Sequence, residues 1–280
     1  MLVLAGVGLF GLRDISLGLL EETKDASAIF IETYTSILPG LSLDRLSQIF
    51  NKQIFQLARF DIEDMGAKMI LEKAKNEKVV LLTIGNPLLA TTHAVLVTEA
   101  HKLGITVKVI PSVSVIDGII VSTGLHIYKF GKIVTLVLPE DDELKSYPYT
   151  PYQALKDNLF RGLHTIFLLD LRQEEKRYLS ASQAALLLLR IEEKFKENIL
   201  DEDTLAIAVA RATAEDEQVC VGKLSEIGKK DLGSPPHTLI IPGHLHDTEI
   251  EFLYYRTGTP VEVLKSWNRQ LNAKILQKNT

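Results

Sequence analysis

Little in this 280-residue chain points to a protein built on disulfides, spanning a membrane or gripping nucleic acid. It has one cysteine, Cys220, in the apolar context QVCVG, so no disulfide can form within the chain and a cytosolic compartment is the expectation. Cys220 itself reads as a small buried hydrophobe. The longest oily run, residues 184–189, is bounded by Gln183 and Arg190, too short to cross a bilayer. The apolar start MLVLAGVGLFG lacks a basic leader and is broken by glycines, unlike a signal peptide. A formal net charge of -5 argues against direct nucleic-acid binding. No G-x-S-x-G is present, which leaves nucleophilic catalysis without support. His244 and His246 have no third ligand at a recognised spacing, so no metal is expected. No repeat or low-complexity segment stands out.

What the chain does have is the balance of a globular protein, 46% hydrophobic and 24% charged, with length enough for two domains. The most informative stretch is residues 79–104, VVLLTIGNPLLATTHAVLVTEAHKLG. VVLLT reads as a strand buried on both faces, which suits a parallel sheet. Gly85-Asn86-Pro87 turns the chain, and the pattern predicts a helix with Asn86 as its cap, Pro87 at its first position and Gly104 past its end. Such a junction leaves backbone N–H groups free at the carboxyl end of a strand, where open α/β sheets bind ligands.

Strands are expected at 2–5, 28–32, 54–57, 106–110 and 133–138, alternating with helices at 16–24, from Ser42 to about Phe50, 61–76 and 115–122. The first half, residues 1–138, is therefore expected to be an α/β domain with a mostly parallel sheet. PEDDELKSYPYTP, residues 139–151, is acidic, proline-bearing and poor in aliphatics, the best linker candidate. Residues 152–280 form a second α/β domain with less regular alternation. Its helices are expected at 152–161, 182–198, 222–230 and 248–256. Its strands are expected at 164–171, 204–211 and 237–241, with 218–221 at an edge.

Gly6-Val7-Gly8-Leu9-Phe10-Gly11 matches the dinucleotide fingerprint G-x-G-x-x-G directly after a strand. Glu32 lies about twenty residues on, where a ribose-binding carboxylate belongs. An NAD(P)-dependent oxidoreductase is thus a competing reading, although Arg13-Asp14 is a polar start for a helix packed on a sheet. A non-enzymatic nucleotide-sensing protein is a third. The other polar clusters all lie at strand ends: Gly85-Asn86-Pro87 with Thr91-Thr92-His93, residues 112–114, Thr123-Gly124-Leu125-His126, Arg211-Ala212 and Pro235-Pro236-His237.

Together GVGL, ETYTS, GNPLLATTH, TGLHIYKFG, RGLHTIFLLDL and SPPHTLIIPG resemble the diphthine synthase family over residues 2–264. That resemblance implies a fold of the tetrapyrrole-methylase type, two α/β domains with S-adenosylmethionine in the cleft between them. It implies methylation of the amino group of 3-amino-3-carboxypropyl-histidine in translation elongation factor 2, with S-adenosylhomocysteine as by-product. Archaeal members give the trimethylammonium product, diphthine, and members are homodimers. Cofactor contacts would fall on Leu9, Asn86, Leu89, Ser114, Val115, Leu169, Arg211 or Ala212, and His237. Asn86 departs from the family's usual G-D-P, keeping the capping oxygen but losing the charge. The stretch from Ser112 to Ser122 is one residue longer than the family pattern, which leaves Ser112 and Val113 as alternatives to Ser114 and Val115.

An S-adenosylmethionine-dependent methyltransferase is therefore the leading expectation. The acceptor amine must lose a proton before each transfer. Glu32, Tyr34, His93 and Asp14 are candidates to receive it, each with a capping or packing role as the plainer alternative, so no general base is assigned.

Overall fold

The computed structural model describes residues 1–39, 42–65, 67–139 and 147–278. These residues divide into two compact units, Met1–Gly118 with Arg172–Lys176, and Ile119–Leu171 with Arg177–Thr280. Most of the expected linker, residues 140–146, lies outside the described residues.

Unit 1 carries β1 (Leu2–Gly6), α1 (Leu17–Lys24), β2 (Ala28–Glu32), α2 (Leu43–Phe50), β3 (Ile54–Leu57), α3 (Lys68–Asn76), β4 (Val79–Thr83), α4 (Ala94–Lys102) and β5 (Val107–Ile110). All of its strand pairs are parallel, in the order β3-β2-β4-β1-β5. The three central strands are buried along their whole length, as unbroken apolar runs covered on both faces should be. Leu2, Leu4, Phe30, Val79 and Leu81 pack on one face with Ile70, Leu71 and Leu96. Val3, Ala5, Ile29, Ile31, Val80 and Leu82 pack on the other with Leu19, Leu46 and Phe50. Ser16 and Ser42 accept from the backbone N–H of Leu19 and Arg45, capping α1 and α2.

α5 (Val115–Thr123) carries the chain across the boundary into unit 2. Unit 2 continues with β6 (Val134–Leu136), α6 (Tyr149–Phe160), β7 (Thr165–Leu169), β8 (Leu171–Arg172, its second residue counted in unit 1), β9 (Arg177–Tyr178), α7 (Ala181–Phe195), β10 (Leu205–Ala210), β11 (Gln218–Lys223), α8 (Leu224–Ile227), β12 (His237–Ile241), α9 (Asp247–Thr257) and α10 (Val261–Lys278). Its five-stranded sheet, ordered β11-β10-β12-β7-β6, is mixed: β6 pairs parallel with β7 and the rest are antiparallel. β8 and β9 form a separate two-stranded ribbon.

Four expectations are corrected. The strand expected to close the first sheet, β6, belongs to the second. The helix after β4 begins at Ala94, not beside Asn86, because Asn86 Oδ1 takes the N–H of Leu88 and closes a local turn instead. The helix expected at 61–76 is broken into a short π-type segment, Phe60–Asp64, and α3. Cys220 is half-buried on β11, opposite Ala208, where burial pushes its thiol pKa up. The terminal helix α10 has no counterpart among the expected elements.

Candidate functional site

In unit 1 the carboxyl ends of the parallel strands meet at backbone distance. A Cβ on Gly6 would stand 2.2 Å from the carbonyl oxygen of Gly85 and 2.9 Å from the Ser112 Cβ. Gly8 and Gly85 exchange backbone hydrogen bonds of 3.4 and 2.9 Å, both at positive φ. The turns after β1 and β4 are therefore sewn together by glycines, which leaves main-chain groups rather than side chains at the sheet edge. Ser112 Oγ donates to the carbonyl of Asp14 at 3.0 Å, adding the segment after β5.

These turns collect the first set of expected cofactor residues. Leu9 and Leu89 are half-buried in the turns after β1 and β4. Asn86 Nδ2 lies 3.4 Å from the carbonyl of Ser112 and so reaches from one turn to the next. Buried Ser114 is held through its N–H and Oγ by Asp117 Oδ2, at 2.7 and 2.6 Å, with half-buried Val115 opening α5. Those hydrogen bonds hold the Asp117 carboxyl below its usual pKa. Asp117 was not singled out from sequence; its position three residues after a serine was the available signal.

The dinucleotide reading fails here for a physical reason. Gly11 opens only a four-residue 3-10 turn, and the first α-helix starts at Leu17. No helix N-terminus follows the third glycine to hold a pyrophosphate. Asp14 Oδ2 instead takes the N–H groups of Leu9 and Phe10, each at 2.8 Å, so this candidate proton acceptor is a loop anchor. Glu32, the expected ribose ligand, is wholly buried, accepting from Thr35 N and Oγ1 at 3.2 and 2.6 Å. Burial pushes its carboxyl pKa up, against the pull of those bonds and of His93.

Tyr34 and His93 share this end of the sheet and are both buried. Burial pushes the Tyr34 phenol up, so it stays protonated, and its ring lies under the Arg59 guanidinium at 5.2 Å. His93 Nδ1 lies 3.2 Å from the carbonyl of Pro87. Among the described residues Tyr34 Oη, Thr83 Oγ1 and His93 Nε2 are buried without a hydrogen-bond partner. Thr83 was missed from sequence, as the lone polar residue closing an apolar strand.

The second set of expected cofactor residues lies in unit 2. Leu169 ends β7, and the register Thr238↔Leu168 sets it beside His237. Arg211 and Ala212 follow β10, whose last residue pairs with His237. Sequence positions far apart thus share one sheet edge. The guanidinium of Arg211 is committed to the unit itself: Nη1 donates to the carbonyls of Leu232 and Ser234, Nη2 to that of Asp216, and Nε pairs with Asp216 Oδ2 at 2.6 Å. Both ring nitrogens of His237 are used as well. Nδ1 accepts from Ala181 N at 3.2 Å and Nε2 donates to the carbonyl of Ser234 at 3.0 Å. Burial holds this imidazole below its usual pKa. Among the described residues no group of three or more His, Cys, Asp or Glu is placed to hold a metal ion.

Comparison with known proteins adds to this geometry. Residues 1–228 match the family model of the tetrapyrrole (corrin/porphyrin) methylases. The chain is 42% identical over 257 residues to diphthine synthase of Methanocaldococcus jannaschii, covering 91% of this chain and 98% of that one. It is 40% identical over 255 residues to diphthine synthase of Methanococcus maripaludis, again covering 91% and 98%. A crystal structure of diphthine synthase superposes with a TM-score of 0.83 at 30% identity, covering 95% of this chain and 99% of that one.

Proposed function

The chain belongs to the tetrapyrrole methylase family and, within it, to the diphthine synthases, and from that premise we propose that it methylates the amino group of 3-amino-3-carboxypropyl-histidine on translation elongation factor 2. The donor is S-adenosylmethionine and the process is diphthamide biosynthesis. The observation that carries the reading is the identity with diphthine synthases over nearly the whole length of both chains. Nothing in the comparisons favours an oxidoreductase.

The residues at the edge of the unit 1 sheet fit such a donor. The glycine contacts around Gly6, Gly8 and Gly85 let the backbone approach a ligand closely, and Leu9 and Leu89 offer apolar surface for an adenine ring. Asn86 and Ser114 are held by Ser112, Leu88 and Asp117, so they are fixed before the ligand arrives. We assign these residues and Val115 as cofactor contacts. On the resemblance alone, the assignment extends to Leu169, Ala212 and His237 in unit 2. The Arg211 guanidinium, N–H and carbonyl are all bonded within the unit, which favours Ala212 over Arg211 as the contact there.

S-adenosylmethionine supplies an already activated methyl group. The protein's task is to bind, orient and exclude water, and good orientation alone is worth roughly 7–11 kcal/mol of barrier. The acceptor arrives on a large protein, and a homodimeric, cytoplasmic enzyme is the state we expect. Among the described residues no helix is long and apolar enough to cross a membrane.

A thermal-shift comparison tests the cofactor class. S-adenosylhomocysteine should raise the unfolding temperature in proportion to the logarithm of its concentration, and NAD should not. Stabilisation by NAD alone would overturn the reading.

A further inference from the structure

Three buried polar atoms without a partner among the described residues lie on one face of the unit 1 sheet, at its carboxyl end. Ile31 pairs with Leu82, so Glu32 and Thr83 are the next residues of neighbouring parallel strands, on the face that also packs Tyr34, Ile62 and Leu96. His93 lies just before α4 and lines one groove with Ile62 and Leu96 of that face. Buried polar groups are nearly always paired, so three orphans in one place mark a site completed by something else.

The histidine is the informative one. A carbonyl can only accept, so the contact with Pro87 puts the proton of neutral His93 on Nδ1. Nε2 then carries the free lone pair. It is also the atom left without a partner. His93 lines a groove of about 280 Å³ together with Ile62, Glu63, Thr92, Leu96 and Glu99. The ring is anchored to Pro87, inside the turn assigned to the cofactor. Its electrostatic surroundings are mostly acidic: Glu32 interacts with the His93 charge, and Glu63 and Glu99 share the groove. Arg59 lies on this side too, stacked on Tyr34 and 3.7 Å from Glu63.

We propose that His93 Nε2 takes the proton from the acceptor ammonium before each methyl transfer, with buried Glu32 as the countercharge to the imidazolium that forms. The proposal rests on the methyltransferase reading above. An N–H bond of the ammonium breaks, and its electron pair stays on the nitrogen as the nucleophile. A new N–H bond forms on Nε2, and the positive charge moves to the ring. Nδ1 keeps its proton and its bond to Pro87 throughout. The proton returns to water through the groove lined by Glu63 and Glu99. Tyr34 Oη and Thr83 Oγ1 are left as donors or acceptors for the same head group.

The test begins with the wild-type chain, S-adenosylmethionine and elongation factor 2 bearing the unmethylated 3-amino-3-carboxypropyl-histidine. Absence of turnover there defeats the methyltransferase reading itself. Given turnover, H93N is the decisive variant, because an asparagine amide can keep the donor to Pro87 while removing the base. It should bind S-adenosylhomocysteine within about threefold of wild type and lose kcat by roughly 10²–10⁴-fold near pH 7. Its log kcat should climb with pH at unit slope, as solvent takes over the proton. Wild-type kcat with an unchanged pH profile would overturn the proposal. E32Q tests it with His93 intact, in case H93N does not fold. Removing the countercharge should move the acidic limb of the kcat profile to lower pH, and an unmoved limb would overturn the proposal too.

Discussion

His164 Nε2 donates to Glu249 Oε1 at 3.1 Å, and neither side chain has any exposed surface. Glu249 also accepts from His126 N at 2.8 Å, His246 N at 2.7 Å and Lys129 Nζ at 2.8 Å. His164 Nδ1 in turn accepts from Gly243 N at 2.9 Å. One buried carboxylate thus ties together the TGLHIYKFG segment, the start of β7 and the first turn of α9. The His164 ring is structural in this unit, with both nitrogens already bonded.

Replacing that carboxylate should loosen unit 2. E249Q keeps one acceptor oxygen but loses the charge and leaves an amide facing other donors. A loss of about 1.5–3 kcal/mol is expected, the range for hydrogen bonds to charged groups. Trp267, the one tryptophan of the chain, is buried in this unit with Nε1 3.1 Å from the carbonyl of Pro242. Its fluorescence should report a urea midpoint shifted downward in E249Q.

The same pair sets a pH dependence. Burial holds His164 and His237 below their usual imidazole pKa, so each stays neutral in the fold while the unfolded chain protonates. Stability from these two is complete above about pH 6.5 and drains as pH falls. Hydrogen bonds from His164, His126, Lys129 and His246 hold Glu249 well below the usual carboxylate range. Its contribution is complete above about pH 4.3 and is lost on further acidification. The unfolding temperature should therefore drop from pH 7 to 5, then more steeply below 4. A flat profile between pH 7 and 5 would contradict burial of these two imidazoles in neutral form.

Glycine substitutions separate the cofactor turn from the rejected dinucleotide loop. A Cβ on Gly6 meets the backbone oxygen of Gly85 at 2.2 Å, which no rotamer change relieves. G6A should destabilise the chain and cut S-adenosylhomocysteine affinity by at least tenfold in calorimetry. A Cβ on Gly11 meets nothing within 4 Å, and only its positive φ of +62° opposes a side chain. G11A should cost about 1–2 kcal/mol in stability and leave affinity within threefold. Equal losses in both would return weight to the dinucleotide reading.

Asn86 acts through its side-chain oxygen, which closes the turn onto Leu88 N at 3.1 Å. N86D keeps that oxygen and adds a negative charge. It should bind S-adenosylhomocysteine no more than threefold differently from the present chain. N86A, which loses the turn, should bind at least tenfold more weakly in the same titration.

Much of this was legible in the chain because buried parallel strands announce themselves. Leu2–Gly6, Ala28–Glu32 and Val79–Thr83 are continuous apolar runs, and the structure pairs all three. The serine cap at Ser42 marked the start of one helix. The helix expected from Asn86 failed because an asparagine caps a turn as readily as a helix, and the first turn won. β6 was assigned to the wrong sheet because a three-residue strand carries no sign of its partner. Glu32 looked like a ribose ligand by spacing alone, and its complete burial was invisible without its neighbours. His93 was one of four proton-acceptor candidates. What distinguishes it, a carbonyl on one nitrogen and nothing on the other, exists only in three dimensions.

The central claim is methyl transfer to a modified histidine of elongation factor 2. The most direct measurement is incorporation of methyl label from S-adenosylmethionine into purified factor with and without the 3-amino-3-carboxypropyl group. Label is expected on that one histidine, only in the modified factor, with stoichiometric release of S-adenosylhomocysteine. Labelling of both factors alike, or of neither while S-adenosylhomocysteine binds normally, would contradict it.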